Sequence, residues 1–210
     1  IANKHRLFVN FSTSFETPTL SELSANPSGG EGLNLDLDPS KAINYEFGWK
    51  TQNSSGYFEA TTFYIQSSNE ILPYELEEFP GRSFYQNAGA TTRYGLEVAA
   101  AYKLKQWGIQ GSLTQAKYKF NEQNEDVNSD PKSLPGIPNS QIFIQVDYNT
   151  IKNWKWVLSG EHIGRFYANN SNSVEIKSFQ KVRFQGQKTV ELHWGEFDFF
   201  GGINLSLIHI

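Results

Sequence analysis

The sequence predicts an all-β chain of antiparallel strands, and three patterns carry that expectation. Apolar and polar residues alternate with a period of two, connections alternate between short and long, and tryptophans gather beside the short connections. The clearest strand lies within Leu33 to Lys50, LNLDLDPSKAINYEFGWK. There Ile43, Tyr45, Phe47 and Trp49 alternate with Asn44, Glu46, Gly48 and Lys50. Successive side chains of a strand point to opposite faces, so this one backs a large apolar face with a polar one. Such a strand divides either a protein core from water or lipid from an aqueous lumen. Asp38-Pro39-Ser40 closes the polar loop ahead of it.

The other strands follow in chain order. Leu7, Val9, Phe11, Thr13 and Phe15 stand opposite Asn10, Ser12, Ser14 and Glu16 in a strand that precedes the one at Ile43. Tyr57 to Ser67, Ile109 to Tyr118 and Trp154 to Ile163 alternate less regularly, which leaves room for bulges. Leu96, Val98, Ala100 and Tyr102 oppose Gly95, Glu97, Ala99 and Lys103, while Ile142, Ile144, Val146 and Tyr148 face away from Gln145, Asp147 and Asn149. Val190, Leu192 and Trp194 oppose Glu191 and His193. Helical spacing is not sustained in any segment.

Tight turns are expected at Asn53-Ser54-Ser55-Gly56, around Gln106, at Thr150 to Asn153 and at Gly195-Glu196. Between them lie long polar loops: Glu16 to Ser40, Pro73 to Tyr85, Asn121 to Gln141 and Arg165 to Ser178. Connections in compact soluble domains run to about 4 to 6 residues, whereas outer-membrane barrels have short turns on one side and long loops on the other. The tight turns recur every roughly 45 residues, the length of two tilted strands and one loop, which gives about nine strands. Trp49, Trp107, Trp154, Trp156 and Trp194 all fall near a short turn, where an aromatic girdle would meet lipid headgroups. The alternative is that they cap the core of a β-sandwich. The fold class expected is all-β, an antiparallel transmembrane β-barrel fragment of about nine strands, with the β-sandwich still open.

Composition agrees and excludes other classes. At 210 residues and 38% hydrophobic the chain can make one sizeable domain, and a net charge of -4 argues against a nucleic-acid partner. Without cysteine it has neither a disulfide framework nor a thiolate metal site. No stretch approaches the roughly 18 apolar residues of a membrane helix, but a barrel strand needs only about 9 to 11 residues with half of them apolar. Methionine and a signal peptide are both missing, so the chain reads as a fragment.

Several segments resemble one family. Asn34 to Lys50 is similar to the hairpin of TonB-dependent outer-membrane receptors, where a loop ending in a Leu-x-Pro-Glu type sequence runs into an Asn-Tyr-Glu-x-Gly strand. Phe11 to Leu23, FSTSFETPTLSEL, resembles the family's strand and loop with Pro-Thr-Leu before an acidic residue. Tyr85 to Val98, YQNAGATTRYGLEV, resembles its Asn-x-Gly then Gly-x-Glu strand, while LPGIPN at Leu134 to Asn139 and GRFYANNSN at Gly164 to Asn172 resemble later strand and loop segments. The five fall in the family's order. Ser40 stands where a Glu is usual, and the plug domain and TonB box are absent from the sequence. Phe199 to Asn204, FFGGIN, is similar to another family strand, but Leu205 to Ile210 match the translation of a transposon-type sequencing adapter. Residues 1–204 are thus expected to be partial receptor barrel and 205–210 a non-native tail.

The resemblance implies a barrel of about 22 strands around a plug, in the outer membrane of a Gram-negative bacterium. It also implies active transport of a scarce nutrient, most simply a ferric siderophore or similar iron chelate, and not enzymatic activity. The partners it implies are the TonB complex acting through the plug, outer-membrane lipid and lipopolysaccharide, and the small-molecule substrate. No cofactor is expected.

No catalytic constellation is present, since no serine lies in a Gly-x-Ser-x-Gly elbow and Asn87 to Gly95 lacks a phosphate loop's Gly-Lys-Ser/Thr ending. His5, His162, His193 and His209 have no partner at metal-ligand spacing, so no metal site is expected. An anionic chelate calls for Arg or Lys donors beside aromatic faces. The candidates are Arg82 with Phe84 and Tyr85, Arg93, and Arg165 with Phe166 and Tyr167; the alternative for each is a solvated loop side chain. Asn44, Glu46, Lys50 and Glu97 are expected to face the lumen, either against the plug or solvated. The acidic clusters Glu75, Glu77, Glu78 and Glu122, Glu125, Asp126, Asp130 suit divalent cations bridging lipopolysaccharide, or charge repulsion against aggregation. Two other classes share parts of the pattern: a passive porin or outer-membrane barrel enzyme, and a secreted aromatic-rich β-sandwich that binds glycans.

Overall fold

A computed structural model describes residues 4–28, 32–87, 89–121, 132–150 and 153–208. In chain order the elements are β1 (Lys4–Glu16), α1 (Leu20–Ser24), β2 (Ser40–Gln52), β3 (Gly56–Ser68), β4 (Ile71–Glu75), β5 (Ser83–Asn87), β6 (Ala90–Leu104) and β7 (Trp107–Phe120). They continue with β8 (Ser140–Asn149), β9 (Trp154–Ile163), β10 (Phe166–Tyr167), β11 (Glu175–Ile176), β12 (Phe179–Leu192) and β13 (Gly195–Ile208). Nine strands form one antiparallel sheet in the order β1-β2-β3-β6-β7-β8-β9-β12-β13, so each pairs with the next wall strand along the chain. The pairs β4-β5 and β10-β11 are separate hairpins inside two of the long connections.

Each register in the wall runs without a skipped residue, so the less regular strands β3, β7 and β9 carry no bulge there. Directly paired residues share a face. Trp49 pairs with Leu7 and Ala60, Phe47 with Val9 and Thr62, and Tyr45 with Phe11 and Tyr64. That makes one continuous apolar face, on which Val9 is 79% and Phe47 53% exposed. Soluble monomers rarely leave contiguous apolar surface of this kind open, and no second large sheet covers it among the described residues. A sandwich core is therefore not what these side chains build. The other face is less exposed at matching positions, as for a wall that curves toward its polar side.

The tryptophans pack against neighbouring rings at the short-turn end. Trp154 and Trp156 stack at 5.2 Å and Trp156 stacks on Phe184 at 5.6 Å, while Trp107 lies 4.4 Å from Tyr148 and Trp49 5.2 Å from Phe58. Two glycines answer to close approach. A Cβ on Gly48 would fall 2.2 Å from the Phe8 ring, and one on Gly95 would fall 2.6 Å from the Gln115 carbonyl oxygen and 2.8 Å from Ala116 Cα.

Three expectations need correction. Pro73 to Tyr85 is not all loop: Pro73 pairs with Tyr85 in the β4-β5 hairpin, whose two five-residue strands are too short for the alternation to register. The last turn is His193-Trp194, since Gly195 already pairs with Leu192. Among the described residues there is one helix, α1, whose five residues are too few to show helical spacing. It is set by a capping box in the Pro-Thr-Leu segment: the Thr19 hydroxyl accepts from the Glu22 N–H, and the Glu22 carboxylate accepts from the Thr19 N–H at 2.7 Å. The strand β13 runs on through Leu205, which pairs with Val182, and Leu207, which pairs with Gln180. Glu122, Glu125, Asp126, Asp130 and His209 lie outside the described residues.

Candidate functional site: the long-loop rim and the polar face

The long connections meet at one end of the wall and hold each other through asparagine side chains. Asn87 accepts from the Asp38 N–H and donates to the Asp38 carbonyl, both at 2.9 Å, and donates to the Asn69 carbonyl at 2.8 Å. Asn172 does the same to Ser133, accepting from its N–H at 2.7 Å and donating to its carbonyl at 2.8 Å. A primary amide presents the same donor and acceptor pair as a peptide group, so each side chain acts as a short strand between two loops. Asn34 donates to the Tyr85 carbonyl and Asn170 to the Pro73 carbonyl, each at 3.4 Å. The four connections therefore form one linked rim. Its buried apolar residues, Leu37, Phe84 and Leu134, come one from each of three connections.

The predicted ligand residues divide into three groups. Arg82 is exposed at the tip of the β4-β5 connection, its guanidinium 5.9 Å from the Phe79 ring centre and 5.0 Å from that of Phe84. Phe84 is 0% exposed, packed by Tyr74 at 6.1 Å and Phe79 at 5.6 Å, so it builds the hairpin and offers no open face to a ligand. Tyr85 is half-buried beside it. Arg165 has a side chain 68% exposed with Glu175 at 3.6 Å, and the half-buried Phe166 and Tyr167 follow it in β10. The Asn170 to Pro73 bond brings the Arg82 and Arg165 connections into contact.

Arg93 stands apart. It lies on the polar face of β6 in an ion pair with Glu70, which also accepts from the Thr91 hydroxyl at 2.6 Å. Glu70 thereby ties the base of the β4-β5 hairpin to the wall, and an anionic ligand would have to displace it to reach Arg93. Sequence reasoning missed Glu70, Asn87 and Asn172 as organisers; the left-handed backbone of Asn172, φ 57, is what its asparagine-rich segment favours.

Asn44, Glu46, Lys50 and Glu97 all lie on the polar face. Glu46 accepts from Asn44 at 2.7 Å and from Asn10 at 3.4 Å, and Lys50 pairs with Glu59 at 2.6 Å and caps the Phe8 ring at 4.8 Å. The Asn44 side-chain oxygen and Arg93 Nε are buried without a hydrogen-bond partner. Glu75, Glu77 and Glu78 are exposed, and no three His, Asp or Glu side chains gather into a metal-binding group among the described residues.

An antiparallel wall of this length, apolar and aromatic on one face, polar on the other, with short turns at one end and interlocked loops at the other, is a segment of a transmembrane β-barrel. The family model described as TonB dependent receptor-like, beta-barrel, matches residues 1–205, and the chain belongs to that family. Solved structures agree on the fold. The copper transporter OprC superposes with a TM-score of 0.69 at 18% identity, over 89% of this chain and 29% of that one. The preacinetobactin receptor BauA of Acinetobacter baumannii gives 0.68 at 14% identity, over 95% and 29%, and the yersiniabactin receptor FyuA of Yersinia pestis 0.65 at 15%, over 98% and 35%. The chain thus spans about a third of the length of these proteins.

Proposed function

We propose that this chain forms part of the wall of a TonB-coupled outer-membrane receptor that imports a metal chelate of the ferric siderophore type. The observation that carries the reading is the family membership over residues 1–205. The apolar face lies in the outer membrane of a Gram-negative cell, the interlocked loops lie outside it and the short turns in the periplasm. Among the structures of the same fold are a ferric yersiniabactin uptake receptor, a ferric preacinetobactin receptor and a copper transporter. That cargo class suits the rim.

Arg82 and Arg165 are exposed cations there beside aromatic side chains, and Phe79, Tyr85, Phe166 and Tyr167 supply flanking rings. Guanidinium groups donate to the anionic oxygens of a chelate while the rings pack its planar parts. Arg93, held by Glu70, sets the hairpin that carries Arg82. Asn44, Glu46, Lys50 and Glu97 face a plug, through which TonB delivers the driving energy.

Titration of the intact receptor with a ferric chelate, compared with the Arg82→Ala/Arg165→Ala double variant, tests the site. One lost charge-assisted hydrogen bond costs about 1.5–3 kcal/mol, so affinity should fall at least tenfold. Unchanged affinity would remove both residues from the site. Uptake that persists in cells lacking TonB would replace the receptor reading with a passive pore.

A further inference from the structure

Arg93 has one partner and room for another. Its guanidinium pairs with Glu70 at the base of the β4-β5 hairpin, while its Nε–H is buried with no hydrogen-bond partner. A buried donor without a partner costs free energy, so the position on Glu70 leaves part of the guanidinium unsatisfied. Glu97 offers the alternative. It lies four residues further along β6 on the same polar face, and no hydrogen bond or ion pair with a described residue engages it. Four residues of strand are about 13 Å, which an extended Arg and an extended Glu close between them when both lean along the strand. Gly95 stands between them without a side chain, opposite the small Ala116 on β7 and flanked by Phe63 on β3. Tyr118, directly opposite Arg93, is within electrostatic range of both Arg93 and Glu97, so the two charges share one neighbourhood. The other unpartnered buried group, the Asn44 oxygen, lies two strands away in the row of Ile65 and Arg93. A neutral amide cannot replace a carboxylate as counter-charge.

The base of the hairpin has the form of a hinge. Its two legs meet the wall through residues in the left-handed region, Asn69 at φ 55 and Gly89 at φ 79, and the Glu70 N–H donates to the Gly89 carbonyl at 3.3 Å. Asn87 bonds Asp38, while Asn34 and Asn170 bond Tyr85 and Pro73, so those ties run to other connections. Glu70 is the side chain that bonds the base to β6, through Arg93 and Thr91.

We infer that Arg93 is a two-position latch: on Glu70 it holds the β4-β5 hairpin against the wall, and on Glu97 it leaves the hairpin free to swing about its base. The hairpin that carries Arg82 then answers to the electrostatic state of the lumen, onto which the exposed Glu97 opens. That consequence rests on the reading of Arg82 as a cargo residue and of the polar face as the lumen, whereas the latch rests on the geometry.

Hydrogen exchange over Ile71–Asn87 in the cargo-free intact receptor reads the latch. Glu97→Gln keeps the shape and removes the charge that draws Arg93 away from Glu70, so hairpin opening should become about two- to fivefold rarer, the effect of one exposed ion pair. Glu97→Asp, which keeps the charge and shortens the reach, should act in the same direction, and it carries the test should the Gln variant not assemble. Glu70→Ala moves exchange the other way, so the two carboxylates should couple to Arg93 with opposite signs. In an Arg93→Met background Glu97→Gln should change nothing, and Glu59→Gln, which removes a lumen carboxylate paired with Lys50, should leave the hairpin as in the parent. Unchanged exchange in both Glu97 variants, or the same change with and without Arg93, would overturn the inference. Exchange is read without cargo, so the latch can fail while the cargo site at Arg82 and Arg165 stands, and the reverse.

Discussion

Removing the Glu70 carboxylate should loosen the β4-β5 hairpin that carries Arg82 while leaving the wall in place. Glu70 holds two groups: the hydroxyl of Thr91, which is fully buried, and the guanidinium of Arg93. Glu70→Ala strands the hydroxyl, at about 1–3 kcal/mol, and leaves Arg93 without its partner. Breaking a fully buried pair costs about 3–5 kcal/mol, but the Arg93 side chain is 28% exposed and water can recover part of that. A net local cost of roughly 2–4 kcal/mol follows, enough to raise hairpin opening about 30-fold or more. Hydrogen exchange of the intact receptor reads it directly, with protection lost over Ile71–Asn87 and kept over β6 and β7. A double-mutant cycle with Arg93→Met should return a coupling of at least about 1.5 kcal/mol, against less than about 1 kcal/mol for the more exposed Lys181 and Glu161 pair. A coupling near zero, or unchanged protection of the hairpin, would refute the role given to Glu70.

Other substitutions probe other parts of the account. Gly95→Val places side-chain atoms into the β7 backbone and should cost more than about 3 kcal/mol or prevent assembly, whereas Gly160→Ala, with nothing within 4 Å of the new Cβ, should be neutral in urea unfolding. Phe84→Ala removes the ring that Tyr74, Phe79 and Arg82 enclose, and should destabilise the hairpin by about 3–5 kcal/mol and expose it to protease. Asn172→Ala removes both bonds to Ser133, so limited proteolysis near residues 169–174 should quicken severalfold at unchanged wall stability.

What could be read from the sequence was whatever repeats at the period of the strand. Ile43, Tyr45, Phe47 and Trp49 share one face because the β2 pleat has no other choice, and the alternation of short and long connections ordered nine strands before any contact was known. Where the alternation is diluted by Thr, Gly and Ala, as in β3 and β7, the sequence left bulges open that the continuous registers close. The rim was less legible for a physical reason. Its order comes from single side chains acting over long separations, such as Asn87 on Asp38 and Asn172 on Ser133, and neither bond leaves a periodic trace. The same holds for Arg93, which looks from the sequence like a free cation and is engaged by Glu70. The capping box at Thr19 and Glu22 is the exception: its spacing was visible, and only the brevity of the helix hid it.

The central claim is that the wall has lipid on one side and water on the other, and spin labels along β2 test it most directly. Residues 1–210 hold no cysteine, so in the intact receptor, with any cysteine outside them replaced by serine, single cysteine variants at positions 42–47 and 49 label this segment at one site each. In reconstituted membranes, labels at positions 43, 45, 47 and 49 should be accessible to dissolved oxygen and shielded from a water-soluble nickel chelate, and labels at 42, 44 and 46 should show the reverse. Equal access of the nickel chelate to both sets would contradict the account.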